Sequence, residues 1–582
     1  METSAQPRRG NPLDSLRHAG VEQLQQHEEK VFLILSLLIG ALTGVVVSAF
    51  ILLTERMGMQ LYPVEGAAWR RVAIPIAGSL AMGFLLYRFF PNARGSGVPQ
   101  TKAAMFARDG FISLRTVLGK FFCTSVTLAS GIPLGREGPS VQVGAGMASV
   151  LGRSLGLRPE RIRQLIPVGA AAAVAAAFNT PMAAVLFALE EVMGDLHAPV
   201  LGSVVLASAT SWATMRMILG DNPLFHVPDY HLVHPLELGI YAILGIVGGF
   251  LSVAFTQSLL RLRKAFARLP KRSRWVQPVA GGVCIGLIGW FVPQALGVGY
   301  SWVGQALNSS MALKMLLLLV VLKLVGVVVA YASGNAGGIF GPSLFLGAML
   351  GGVIGTVAHQ LLPGYTANPG AYALVGMGVM FAGIVRAPMT SVLMIFEMTR
   401  DYEVIVPLMI ANLLSLFIAR QLQPQPIYEA LSEQDGIHLP AVRGKEDSID
   451  VHVESIMRAP AETLGGRQRV REALIAVQPS AHHIWPVLRG NFFLGIVTRE
   501  ELERAAVAGK HDQRLENLVE IENMPHLHRD HPLHLALARM SAAHLDLLPV
   551  IHRADVHKLE GVVSLQEVLE AYGVQNTDAA QL

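Results

Sequence analysis

Residues 138–145 read GPSVQVGA and residues 341–348 read GPSLFLGA, with five of the eight positions identical. Further along, a glycine, eleven residues and PMAAVLFALE run from Gly169 to Glu190, and the same spacing with PMTSVLMIFE runs from Gly376 to Glu397. Chance similarity between two apolar stretches would not keep glycine, proline and glutamate in register. The first part of the chain is therefore read as a duplicated unit.

The duplicated unit is greasy. Of 582 residues, 52% are hydrophobic and 15% charged, and the mean hydropathy is +0.45, which excludes an ordinary soluble protein. Runs beginning at Val31, Leu236 and Met315 are long enough to cross a bilayer. Duplicated membrane units place their binding site where the copies meet, near the midplane.

The net charge of +4 does not point to nucleic acid, because the basic residues gather at the edges of apolar runs, as in RLRKAFARLPKRSRW from Arg261. That is the pattern of cytoplasmic loops. The apolar run after the polar first 30 residues is too long for a cleavable signal, so the first span is expected to stay. The expected location is the cell (inner) membrane, multi-pass, with both termini cytoplasmic. Cys123 and Cys284 lie in apolar segments and read as packing residues.

Many of the apolar segments are short or broken by glycine and proline, which at membrane depth is tolerated only inside protein or around a cavity. Three glycine-rich stretches precede helix-length apolar runs: GSGVPQ from Gly95, GREGPSVQVGA from Gly135 and GNAGGIFGPSLFLGA from Gly334. Each is expected to present free backbone N–H groups at a helix start, where anions bind. Within the repeat, Glu137 falls opposite Phe340, and Glu191 opposite Met398, whereas Glu190 is matched by Glu397. A role common to both copies does not need an unmatched acid, so Glu137 and Glu191 read as functional and Glu190 as structural.

GSGVP, GREGP and GGIFGP, with QPIYEAL from Gln425, resemble the CLC chloride channels and chloride/proton antiporters over roughly residues 30 to 432. The resemblance implies an all-α polytopic membrane domain with two inverted repeats of tilted and broken helices, assembled as a homodimer with one anion pathway per subunit. It implies that Ser96 and Tyr428 donate hydroxyls to a central chloride, with amides at Gly338, Ile339 and Phe340 beside them. Glu137 is then the gating glutamate and proton acceptor, neighboured by Arg136. Glu191 occupies the place of the antiporters' internal proton-transfer glutamate, and Lys120 that of a buried lysine favouring anions.

From about residue 440 the chain becomes more charged, and its apolar runs shrink to strand length. WPVLRGNFFLGIVTREEL from Trp485 and LPVIHRADVHKLEGVVSLQEV from Leu548 resemble tandem CBS domains of α/β type. The expected segments are an N-terminal piece to 30, a transport domain 31–432, a linker 433–454, CBS units 455–507 and 515–573, and a tail 574–582. Some CBS pairs hold an adenine nucleotide, which here would involve Thr498, Glu501, Ser564 and Glu567. The pattern's aspartate is replaced by Glu501 and Glu567, and that departure weighs against binding. No other cofactor is implied. The histidines of HLHRDHPLH, from His526, read as a solvated loop and not a metal site.

The leading expectation is a proton-coupled chloride antiporter, with chloride, protons and lipid as its partners, and not an enzyme. A passive channel gated by Glu137 is the alternative, separated from it by Glu191; a membrane sensor acting through the CBS pair is a third reading.

Overall fold

The computed structural model describes residues 28–62, 66–196, 200–220, 225, 227, 228, 230–399, 402–437, 452–480, 482–519, 521 and 524–572. Most of the expected N-terminal segment and linker, and the whole tail, lie outside these residues. The chain divides into two compact units, Met1–Leu439 and Pro440–Leu582.

Among the described residues, each copy of the duplication is a series of helices in the same order. The first has α1 (Glu28–Leu61), α2 (Ala68–Arg88), α3 (Val98–Ala107), α4 (Leu114–Ala129), α5 (Glu137–Ser154), α6 (Pro159–Phe178), α7 (Pro181–Phe187) and α8 (Leu201–Leu219). The second has α9 (Glu237–Ala267), α10 (Gln277–Phe291), α11 (Tyr300–Leu307), α12 (Leu313–Ala332), α13 (Phe340–Leu361), α14 (Pro369–Val385), α15 (Pro388–Thr399) and α16 (Ile405–Leu422). A further short helix, α17 (Ile427–Gln434), follows. Seven helical segments among the described residues are long and apolar enough to span a membrane. Others are not: α3 has ten residues and α11 eight, too few to cross. Proline in the first turn of α3, α6, α7, α10 and α14 starts these helices without losing a hydrogen bond.

Repeat-related helices pack on each other: α2 on α10, α5 on α13 and α7 on α15. The motif glycines explain themselves in this packing. A Cβ on Gly144 of α5 would lie 2.3 Å from the Gly169 carbonyl oxygen of α6, and one on Gly347 of α13 would lie 2.1 Å from that of Gly376 in α14. Each copy thus closes a helix crossing that only glycine permits. The two motifs that revealed the duplication are the two sides of that crossing.

The second unit is α/β. It contains α18 (Val453–Ile456), β1 (Leu464–Gly465), α19 (Val470–Val477), β2 (Ile484–Arg489), β3 (Phe492–Thr498) and α20 (Arg499–Val507). These are followed by α21 (Leu533–Ala543), β4 (Leu547–His552), β5 (Asp555–Ser564) and α22 (Leu565–Ala571). Strand β2 pairs parallel with β1 and antiparallel with β3, and β4 pairs antiparallel with β5. Pro486 faces Ile496 and Pro549 faces Val562, and the register shifts after Val487 and again after Val550. The internal likeness seen in the sequence is one hairpin made twice.

Candidate functional site

The starts of α5 and α13 are tied together across the repeat. The Gly135 N–H donates to the Gly338 carbonyl and the Gly338 N–H donates to the Gly135 carbonyl, each at 2.7 Å. The third glycine-rich stretch joins them: Gly97 has φ +111°, and a Cβ there would lie 2.1 Å from the Gly138 carbonyl oxygen. The Gly338 amide, expected to face an anion, is taken by this bridge. The Ile339 and Phe340 amides are left in the first turn, where helical N–H groups have no acceptor within the helix.

Glu137 is fully buried. Its carboxylate accepts from the Gly341 N–H at 3.1 Å and from the Tyr300 hydroxyl. A carboxylate of the first copy therefore sits at the helix start of the second, as an anion would. Arg136 turns elsewhere, with its Nη1 2.8 Å from Glu55 Oε1 and its guanidinium 5.4 Å from the centre of the Tyr300 ring. Phe340, the counterpart of Glu137, packs its ring among Phe178, Phe187 and Phe381. Its side chain belongs to the core.

Ser96 and Tyr428 are also buried. The Tyr428 hydroxyl finds no hydrogen-bond partner among the described residues, and Tyr331 is the hydrogen-bonding neighbour of Ser96. A buried polar group left unpaired costs about 1–3 kcal/mol, so the Tyr428 hydroxyl is poised for a polar partner. Tyr428 is within electrostatic reach of both Glu137 and Glu191.

Lys120 donates to the carbonyls of Ala93 (3.1 Å) and Gly95 (2.5 Å), bracing the turn that carries Ser96. Lys323 does the same in the second copy, to Ala295 (3.2 Å) and Gly297 (2.6 Å). Both lysines are fully buried.

Glu190 and Glu397 exchange roles across the repeat. Glu190 accepts from the Met389 and Thr390 N–H groups at the start of α15, at 3.3 and 2.8 Å. Glu397 accepts from Met182 and Ala183 at the start of α7, at 2.9 and 2.7 Å. These reciprocal caps give the matched acids their structural part. The symmetry then breaks, since Ala188–Met193 is a π-turn whereas α15 is α-helical to Thr399; such turns often mark functional positions. Glu191 lies in that turn, and its Oε1 is 2.9 Å from Lys102 Nζ.

Two cavities of about 610 Å³ adjoin these groups. One is lined by Glu55, Arg136, Phe178, Phe225, Tyr300 and Asn308. The other is lined by Gly95 and Tyr331, next to Ser96, and by Arg94, Arg263, Lys264 and Arg274.

This geometry can be set beside known proteins. The family model described as voltage gated chloride channel matches residues 78–420, more than half of the chain. The chain belongs to the CLC family. The H(+)/Cl(-) exchange transporter ClcA of Vibrio campbellii is 34% identical over 367 residues, covering 62% of this chain and 78% of the relative. The crystal structure of a slow cyanobacterial Cl-/H+ antiporter superposes with a TM-score of 0.65 at 28% identity, covering 69% of this chain and 97% of that one. A eukaryotic CLC transporter shares the fold with a TM-score of 0.59 at 20% identity, covering 92% of this chain and 97% of the other. The multi-pass CLC membrane fold and the accompanying α/β region are thereby established, and the protein is a transporter, not an enzyme.

Within the CLC frame, Gly341, Tyr300, Lys102, Lys323, Tyr331 and Glu55 were not singled out from the sequence. One signal for Tyr300 and Lys323 was present. Gly297-x-Gly299 precedes Lys323 much as Gly95-x-Gly97 precedes Lys120. Lys102 carries no such signal.

In the α/β unit, Glu501 accepts from the Thr498 N–H and Glu567 from the Ser564 N–H, both at 2.9 Å. Each closes a capping box at the start of α20 or α22. Arg458 Nε is also 2.8 Å from Glu567 Oε1. The adjoining cavity, lined by Trp485, Ser564 and Glu567, measures about 220 Å³, below the roughly 300–1,000 Å³ of small-molecule sites. Both acids are occupied by the hairpins' own helix starts.

Proposed function

We propose that the protein exchanges chloride for protons across a cell membrane. The buried hydroxyls of Ser96 and Tyr428, the latter unpartnered among the described residues, carry this reading, beside the point where the glycine-rich helix starts meet. A chloride there would be held by these hydroxyls and the Ile339 and Phe340 amides, with the fixed dipoles of the helix starts offsetting its lost hydration. Arg94, Arg263, Lys264 and Arg274 would draw anions into the adjoining cavity. The carboxylate of Glu137, held by the Gly341 amide, competes for such a position. Protonation removes its charge and with it the attraction, so chloride and proton alternate.

Proton passage from the cytoplasmic side is assigned to Glu191, with Tyr428 within electrostatic reach of both glutamates. The ion pair of Glu191 with Lys102 weighs toward the second reading, a passive channel gated by Glu137, because a neighbouring ammonium opposes protonation while burial promotes it. The resemblance supports a homodimer with one pathway in each subunit and both termini in the cytoplasm.

Liposomes containing the purified protein separate these readings. Antiport drives protons uphill when chloride runs down its gradient, and Glu137→Gln keeps chloride flux but loses the protons. Chloride flux without proton movement in the unaltered protein would leave the channel. Flux of fluoride but not chloride would overturn the choice of anion.

A further inference from the structure

We infer that Lys102 is a positioning residue that governs proton entry by exchanging its ammonium between Glu191 and Glu429; this rests on the antiport reading above. Lys102 Nζ is 2.9 Å from Glu191 Oε1 and 4.0 Å from Glu429 Oε1. The side chains of Lys102 and Glu191 are 5% and 8% exposed, and that of Glu429 is 28% exposed. The ammonium thus has a buried carboxylate as its near partner and a partly wetted one as its far partner. Glu190 is the other acid whose charge reaches Glu191, and it is committed to the start of α15.

An ion pair at this depth opposes the step assigned to Glu191, against the pull of burial toward the neutral acid. A carboxylate bound to an ammonium has little reason to take a proton, and separating the pair leaves an uncompensated buried charge. Glu429 resolves the conflict by offering a second anion within a short side-chain movement. When the ammonium moves to Glu429, it remains paired, and the freed Glu191 carboxylate takes a proton arriving from cytoplasmic water. One ammonium between two carboxylates leaves the trio with one negative charge, and the added proton makes it neutral. When Glu191 passes that proton toward Glu137, the ammonium returns.

The position of Lys102 also bears on coupling. It lies on α3, whose first residue follows the Ser96-Gly97 turn, so the helix that presents the anion's serine carries the lysine that releases the proton acceptor. The ammonium is necessary for cycling. Without it, the neutral acid is the form a buried carboxylate is left in, and a group fixed in one state relays nothing.

The test uses the full chain in liposomes, recording chloride and proton flux together. Lys102→Met is expected to lower the proton-to-chloride ratio by at least about tenfold, the scale of one charge-assisted hydrogen bond, while chloride flux persists. Lys102→Arg is expected to restore most of the ratio. In a Glu191→Gln background, Lys102→Met is expected to leave chloride flux per folded molecule unchanged, whereas a merely structural lysine would lower it in both backgrounds. If Lys102→Met does not fold, Glu429→Gln decides, because removing the second anion is expected to lower the ratio with chloride flux retained. An unchanged ratio in Lys102→Met, or in Glu429→Gln where the first variant fails, would overturn the role of Lys102 alone, provided the unaltered protein pumps protons. Absence of proton pumping in the unaltered protein would overturn the antiport reading itself and this role with it.

Discussion

The hydroxyl of Tyr300 donates to the carboxylate of Glu137, so a residue at the start of α11 in one copy holds the acid at the start of α5 in the other. Tyr300→Phe removes the donor and keeps the ring under Arg136. A hydrogen bond to a charged group contributes about 1.5–3 kcal/mol, so releasing Glu137 is expected to raise chloride turnover by roughly tenfold or more. The same change made in Glu137→Gln should alter turnover little. Chloride efflux from liposomes measures both, and equal effects in the two backgrounds would exclude a link through Glu137.

Ser96 sits in the turn braced by Lys120 and offers a buried hydroxyl. Ser96→Pro removes that donor and an N–H together. The expected outcome is a shift of preference from chloride toward nitrate, read from reversal potentials or competitive uptake. Unchanged selectivity would argue against Ser96 as an anion ligand.

The caps made by Glu190 and Glu397 are structural and matched, so their loss should be matched too. Glu190→Ala and Glu397→Ala each strip a carboxylate from a helix start and are expected to cost about 1–2 kcal/mol. Thermal unfolding in detergent should show two similar falls in midpoint. The ratio of proton to chloride flux per folded molecule should hold, in contrast to Glu191→Gln.

The α/β unit carries its own pH dependence. Burial pushes the His531 imidazole below its ordinary value of 6.5, and the charges of Arg539, His528 and Arg553 add to this. Its neutral Nδ1 accepts the His528 N–H at 3.1 Å. The unfolded chain therefore takes up the proton first, and the stability from this group is full above 6.5 and falls as pH drops through that value. Hydrogen bonds from Arg553 hold the Asp530 carboxylate below its ordinary 3.8, so its share survives until more acid pH. Hydrogen exchange at Leu527 and Ile551, corrected for intrinsic rate, should speed up between pH 7 and about pH 5. His531→Asn, which keeps an acceptor, should flatten the change.

How much of this could be read from the sequence follows from what each residue does. Gly144, Gly169, Gly347 and Gly376 were legible because a helix crossing tolerates no side chain there, so the duplication kept them. Glu137 was legible as an acid without a counterpart. The same alignment was less informative for Gly338, whose N–H is spent on the bridge to Gly135, a contact between segments two hundred residues apart. Tyr300 reads locally as a packing aromatic and Lys102 as a lysine at a short helix's edge. Only the folded chain brings Lys102 to an acid 89 positions away.

The crossed caps have one more consequence. Severed in the connection between α8 and α9, the polypeptide would yield two fragments, each holding a helix start whose acceptor resides on the other. Apart, each fragment leaves that helix start without the acid that caps it. The halves are thus complementary, and co-expressed as separate chains they carry, in Glu190 and Glu397, contacts that join them.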